Sequence, residues 1–126
     1  MNSGNTIRGA ISVKENSKVA ILSATKELFA NIIENNRLLQ DDIESILFSA
    51  TKDLTKAYPA VAIREMGYTD ITMMCFQEMD VEGSLPMCIR MLVTCNSVIN
   101  NRQHVYLHDA KQLRPDWSEE VQNANN

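Results

Sequence analysis

The chain has 126 residues, of which 44% are hydrophobic and 22% are charged. These proportions are typical of one globular domain with its own hydrophobic core, and they exclude a low-complexity or disordered chain. The formal net charge of -4 excludes the basic surface of a general nucleic-acid-binding protein but permits a local positive site for a small anion.

The first elements predicted are a strand and a long helix. Residues 1–6 are polar and are expected to be flexible, and the strand is predicted from Ile7 to Val13. Asn16 or Ser17 can cap the helix that follows, because a short polar side chain accepts from free backbone amides. Apolar residues at helical spacing extend this helix from Lys18 to about Asn35.

A second strand and a short helix follow. The apolar segment from Ile43 to Ala50 predicts the strand. Pro59 suits the first turn of a helix and Gly67 suits its end, so a short helix is predicted from Ala60 to Met66.

The second half of the chain predicts three more strands. They run from Ile71 to Phe76, from Ile89 to Cys95, and from His104 to Lys111. Residues 117–126 are polar and are expected to be flexible.

These elements predict a single α+β domain spanning residues 1–126. Its mixed β-sheet of about five strands carries one long helix and one or two short helices on one face. One long helix cannot cover both faces of such a sheet, so the uncovered face is expected to meet another copy of the chain.

Neither a membrane segment nor a secretory signal is predicted. The first six residues lack a basic region followed by an apolar run, and the apolar stretches are far shorter than a membrane span. The three cysteines, Cys75, Cys88 and Cys95, are odd in number and form no CxxC pair, which favours reduced thiols in a cytoplasmic protein.

Common catalytic motifs are absent from the sequence. It has no glycine-rich phosphate loop and no GxSxG elbow. His104 and His108 fall in one predicted strand, about 13 Å apart on one face, so surface or interface positions are favoured over metal binding. Glu78 and Asp80 could bind a metal or act as an acid/base pair, but ordinary turn chemistry is favoured. Cys75 is expected to be buried as a small hydrophobe.

Two arginines are placed where a charge is costly. Arg8 lies in a predicted strand beside Gly9, and Arg90 lies inside the apolar segment Cys88–Val93. A guanidinium in such a segment must be paired or must face a site. Because Arg grips a planar carboxylate at two points, these residues indicate a structural ion pair or a site for a small carboxylate.

Taken together, segments along most of the chain resemble the trimeric, pseudo-α/β-barrel class of chorismate mutases, which differs from the all-helical class. The match covers Ile7 to Asp116, with the segments in the same order and at similar spacing. The matching segments are Ile7–Ala10, Ser49–Leu54, Tyr58–Ala60, Arg64–Glu65, Cys75–Val81, Cys88–Arg90, His104–Leu107 and Leu113–Asp116.

The resemblance implies a homotrimer with active sites between subunits and an isomerase that converts chorismate to prephenate without cofactor, metal or covalent intermediate. This reaction belongs to phenylalanine and tyrosine biosynthesis. The resemblance also implies four catalytic residues. Arg8 would bind a substrate carboxylate, Arg90 would donate to the ether oxygen, Glu78 would accept from the ring hydroxyl, and Tyr106 would help to hold the side-chain carboxylate.

Five further residues are implied in substrate binding. The backbone of Cys75 would assist Glu78, and Tyr58, Arg64, Leu113 and Arg114 would line the mouth of the pocket or belong to the closing tail. The sequence departs from the family pattern in places. Val61 stands where the family often has lysine, Met74 replaces a small polar residue, and Tyr58 replaces phenylalanine.

Two other functions remain open from the residues. The same pocket could sense a metabolite without catalysis, although a sensor does not require a cation at the ether oxygen. A similar trimeric barrel could also serve a small imine deaminase, where the segment Leu113–Asp116 is unexpected.

Overall fold

The computed structural model describes residues 2–117. Within them the chain forms one five-stranded mixed sheet, as the sequence predicts. Its elements are strands β1 (Gly4–Ser12), β2 (Ile43–Ala50), β3 (Thr72–Gln77), β4 (Cys88–Ile99) and β5 (Val105–Leu107), with helices α1 (Lys18–Asn36) and α2 (Ala60–Glu65). Three short 3₁₀ turns cover Gln40–Asp42, His108–Leu113 and Pro115–Trp117.

The strands lie in the order β3-β2-β4-β1-β5. Strand β4 is antiparallel to both of its neighbours, whereas β3 and β5 pair in parallel at the two edges. Paired residues in adjacent strands project from the same face of a sheet. The register therefore sets one row of side chains straight across one face: Phe76, Ser49, Arg90, Ala10 and Tyr106.

Helix α1 packs closely on the other face, here called the helix face. Of the two predicted candidates, Ser17 caps the helix by accepting from the Ala20 amide at 3.1 Å. A Cβ on Gly9 would lie 2.8 Å from a methyl carbon of Ile32 and 3.1 Å from one of Leu28. Glycine at this position therefore lets the helix approach the sheet.

The main core lies between the helix face and the helices. Fully buried residues such as Leu28, Phe29 and Ile89 each contribute roughly 1.5–3 kcal/mol of stability through burial. The opposite face, here called the open face, carries only a small cluster beneath the 3₁₀ turn His108–Leu113. The predicted one-sided helix layer is thus observed, and the rest of the open face has no covering layer within the described residues.

The N-terminal prediction is wrong in part. Residues 4–6 were expected to be flexible, but β1 begins at Gly4, which pairs with Ile99 at the far end of β4. The Arg102 guanidinium donates to the carbonyl oxygen of Thr6 at 2.7 Å. These tertiary contacts, which local sequence does not reveal, fix the segment in place. The predicted tail beyond Trp117 lies outside the described residues.

The fifth predicted strand, His104–Lys111, is also wrong over most of its length. It ends at Leu107, because His108 adopts a left-handed conformation with φ of 55° and the chain continues as a 3₁₀ turn. The two histidines are therefore not on one strand face. In the part of the chain that the structure describes, no helix has the length and apolar character to cross a bilayer.

Candidate active site

Three of the predicted catalytic residues meet on the open face of the sheet. Arg8 comes from β1, Arg90 from the central strand β4, and Tyr106 from the edge strand β5. All three line one cleft of about 390 Å³, which Leu47 and Ser49 of β2 also line. The alternation of each strand directs these side chains to the face that the helices leave uncovered.

Glu78 joins this group through Arg90. The Nε of Arg90 lies 3.1 Å from Oε1 of Glu78, and both side chains are partly buried. Glu78 follows the end of β3, and its backbone amide donates to the carbonyl oxygen of Ala50 at 2.9 Å. The ion pair, made through Nε, compensates the charge in the apolar strand, and the guanidinium has five N–H donors in all.

Tyr106 is buried beneath this cluster of cations. Burial raises the pKa of its phenol, and the charges of Arg8, Arg90 and Arg114 act more weakly in the opposite direction. The phenol therefore remains protonated at neutral pH and can donate a hydrogen bond.

Tyr58 and Cys75 lie elsewhere in the same chain. They line a second cleft of about 470 Å³ on the helix-face side, between β3 and the loop that precedes α2. Cys75 pairs with Phe48, which pairs with Met91, so these residues share the helix face and not the face of Arg90. One chain therefore does not bring all the predicted site residues into one pocket.

The remaining predicted binding residues have different surroundings. Arg64 is exposed on α2. Leu113 packs against the small cluster that contains Tyr106. Arg114 forms a two-point ion pair with Asp116, at 3.1 Å from Nε and 2.9 Å from Nη2. Leu113 therefore holds this segment against the open-face cluster, while the guanidinium of Arg114 is paired with the carboxylate of Asp116.

Comparison with known proteins decides the family. A family model described as chorismate mutase type I matches residues 5–117 of the chain. The chain belongs to this family. The resemblance drawn from the scattered sequence segments is thereby confirmed, and the chain is an isomerase of the chorismate mutase class.

Individual members of the family agree in sequence and in structure. The chain is 43% identical to chorismate mutase AroH of Bacillus subtilis over 115 residues, which cover 89% of the chain and 91% of that protein. It is 40% identical to chorismate mutase AroH of Thermus thermophilus, over 87% of the chain and 93% of that protein. A solved chorismate mutase from Clostridium thermocellum superposes with a TM-score of 0.80 at 43% identity, covering 85% of this chain and 97% of that one.

The sequence analysis missed a pair of hydrogen bonds, here called the bracket, beside the candidate site of this chorismate mutase. Asp53 accepts the backbone amide of Met87 at 3.0 Å, and the Thr51 hydroxyl accepts that of Cys88 at 3.0 Å. The bracket ties the start of β4, two residues before Arg90, to the end of β2. The short polar residues Thr51 and Asp53 indicate a turn after β2, but not this long-range contact.

His104 was also misjudged, since a surface or interface position was favoured. It is 4% exposed, and its Nδ1 accepts the backbone amide of Arg8 at 2.9 Å. Burial, followed by the charges of Arg102, Arg8 and Arg114, lowers the pKa of His104 to about 4. The neutral imidazole thus supports the strand position that carries Arg8.

This histidine makes stability depend on pH. The unfolded chain binds the proton near pH 6.5 and the folded chain only near pH 4, so stability falls as the pH drops through this interval. The expected loss from this group is about 3 kcal/mol of unfolding free energy. Urea unfolding at pH 7 and pH 4 measures it.

A His104→Asn variant keeps an acceptor for the Arg8 amide but cannot titrate, so its stability should depend less on pH. The matched control is His108→Asn, at an exposed position where the left-handed backbone also suits asparagine. Equal pH dependence in the wild type and in His104→Asn would contradict the assignment.

Proposed function

We propose that the chain converts chorismate to prephenate in the open-face cleft, with Arg90 stabilising the oxygen of the breaking ether bond. The observation that carries the proposal is the Arg90 guanidinium, ion-paired through Nε to Glu78 in the cleft that Arg8 and Tyr106 also line. Family membership supports chorismate as the substrate, and the position of this guanidinium supports electrostatic stabilisation of the transition state as the mechanism.

The reaction suits such a site. The rearrangement breaks a carbon–oxygen bond and forms a carbon–carbon bond in one chair-like transition state, without a nucleophile. Negative charge grows on the ether oxygen as the bond stretches. A fixed cation at that point stabilises the transition state more than the ground state, and this difference accelerates the reaction.

The other residues of the cleft hold the substrate in its reactive form. Chorismate carries two carboxylates and is flexible, so gripping both ends favours the chair. In the proposed arrangement Arg8 binds one carboxylate and the protonated phenol of Tyr106 donates to the side-chain carboxylate. Glu78 accepts from the ring hydroxyl. Leu113 and Arg114 belong to the segment that borders this side of the cleft.

We propose that a homotrimer completes the site between subunits. The open face exposes large apolar side chains, with Leu47 40%, Phe76 50% and Met74 56% accessible, and such a patch marks an interface. Tyr58 is 72% exposed and lies with Cys75 on the far side of the sheet from Arg90. A neighbouring copy can therefore supply Tyr58, the Cys75 backbone and Arg64 to the cleft of the first.

Two broader features belong to the same proposal. Residues 1–126 form one domain, and the protein works in the cytoplasm, where the free thiols of Cys75, Cys88 and Cys95 stay reduced.

The test is a direct assay of the purified protein. Incubation with chorismate should consume it and yield prephenate, and the decrease in chorismate absorbance monitors the reaction. Prior dialysis against a chelator should leave the rate unchanged. The non-catalytic binding module would bind chorismate without converting it. An imine deaminase would instead hydrolyse a small imine and leave chorismate intact. Either result would refute the proposed function.

A further inference from the structure

Ser49 lies on β2, between β3, which ends just before Glu78, and β4, which carries Arg90. It pairs with Arg90 across β2–β4 and with Phe76 across β2–β3, so its side chain projects from the open face. Its hydroxyl lies 2.6 Å from Oε1 of Glu78, the same oxygen that lies 3.1 Å from Nε of Arg90. One carboxylate oxygen thus connects a strand hydroxyl to the guanidinium.

The direction of this hydrogen bond follows from chemistry. An ionised carboxylate only accepts, so the serine hydroxyl is the donor. The backbone amide of Glu78 is held by the carbonyl oxygen of Ala50, the residue after Ser49. Glu78 is therefore fixed to β2 at two points, one on its backbone and one on its carboxylate, and β2 is paired directly with the strand that carries Arg90.

We propose that Ser49 is a positioning residue for the rearrangement. Its hydroxyl fixes the Glu78 carboxylate, which holds the Nε of Arg90 and keeps the four terminal N–H groups of the guanidinium for the substrate. The inference rests on the roles proposed above for Arg90 and Glu78. It adds a residue in the wall of the cleft whose hydroxyl acts through the carboxylate of Glu78.

The expected effect is on turnover more than on binding. A donor aimed at developing charge works only if it is already in place when the charge appears. Without the hydroxyl, the carboxylate can rotate and the guanidinium moves with it. Ground-state binding depends on several other contacts in the cleft and is less sensitive to such a loosening.

The first experiment compares Ser49→Ala with Ser49→Thr in the trimeric enzyme. Ser49→Ala should lower kcat about 5- to 30-fold, less than the roughly 10- to 150-fold of a hydrogen bond lost directly to a charged group, because the hydroxyl acts through Glu78, and it should change KM less than about threefold. Ser49→Thr keeps the hydroxyl and suits a strand, so it should recover most of the turnover. A Ser49→Ala enzyme within twofold of the wild-type kcat, or no recovery by threonine, would overturn the proposal.

A double-mutant cycle separates positioning from a purely structural role. In a Glu78→Ala background, Ser49→Ala should cause no further loss of kcat, because the carboxylate through which it acts is absent. An equal loss in both backgrounds would overturn the proposal. Arg90→Ala and the wild type are measured in parallel. An inactive Arg90→Ala beside a normal Ser49→Ala refutes only the role of Ser49. A fully active Arg90→Ala refutes the proposed role of Arg90 and this inference with it, whereas a wild type that does not convert chorismate refutes the proposed function.

Discussion

The Arg90→Ala variant is expected to lower kcat by at least ~10²- to 10³-fold, the usual effect of removing one preorganised donor to a developing negative charge. The arginine lies on the open face of β4 and outside the main core, so the variant should fold. The Ser49 hydroxyl remains as a donor to the carboxylate that Arg90 leaves behind. Steady-state kinetics with chorismate, beside circular dichroism, measure both expectations.

The size of this effect follows from the total acceleration that the site must supply. A rate gain of about 10⁶, at the low end for enzymes, corresponds to roughly 8 kcal/mol. One well-placed donor supplies about 3–4 kcal/mol of this amount. Orientation of the substrate by its carboxylates can provide the remainder, which is why the variant should keep some activity above the uncatalysed rate.

Arg90→Lys is expected to fail almost as severely as Arg90→Ala. A lysine ammonium is a flexible point charge, and it cannot contact Glu78 through one nitrogen while presenting a planar pair of donors to the substrate. Arg37→Asn is the matched control, because Arg37 is an exposed arginine at the end of α1 in a left-handed conformation that asparagine also adopts. Near-normal turnover in Arg90→Ala would remove this residue from the mechanism.

Mixing two inactive variants should restore activity if the site lies between subunits. Arg90→Ala damages the open-face half of the site, and Tyr58→Ala/Arg64→Ala damages the half proposed to come from a neighbour. In a randomly mixed homotrimer about one quarter of the sites combine two intact halves, so co-expression should recover about one quarter of wild-type activity. Differently tagged subunits allow the mixed species to be purified and assayed.

The matched control mixes Arg90→Ala with Arg8→Ala. Both residues line the same cleft of one chain, so no mixed interface can combine two intact halves and activity should stay low. Recovery in this control, or no recovery in the first mixture, would show that the site is divided differently. A mass measurement that gives a single copy in solution would contradict the trimer directly.

Several elements could be predicted from the sequence because local signals and burial agree. The period of apolar residues and the Ser17 cap predicted α1 within one residue at its C-terminal end. Val93 and its alternating neighbours predicted the core of β4 in the same way. Gly9 lies inside the predicted first strand, but only the packing of Leu28 and Ile32 above it shows why a side chain does not fit.

The candidate site was only partly predictable. Arg8 and Arg90 were predicted to form an ion pair or a carboxylate site, because a guanidinium in an apolar strand needs a partner or a ligand. Their common cleft, however, depends on how β1 and β4 pair, and a shift of one residue would place one of them on the helix face. Ser49 gave no signal, because a serine in a strand is unremarkable until the register sets it opposite Arg90.

The sequence alone determined the class of fold, the positions of most helices and strands, and the family resemblance, because these depend on residue patterns along the chain. Tertiary structure decided which face each charged residue occupies and which residues lie too far apart to share a site in one chain. It also decided the burial of His104 and the ending of β5 at Leu107. These features depend on contacts between segments distant in sequence, which no local pattern specifies.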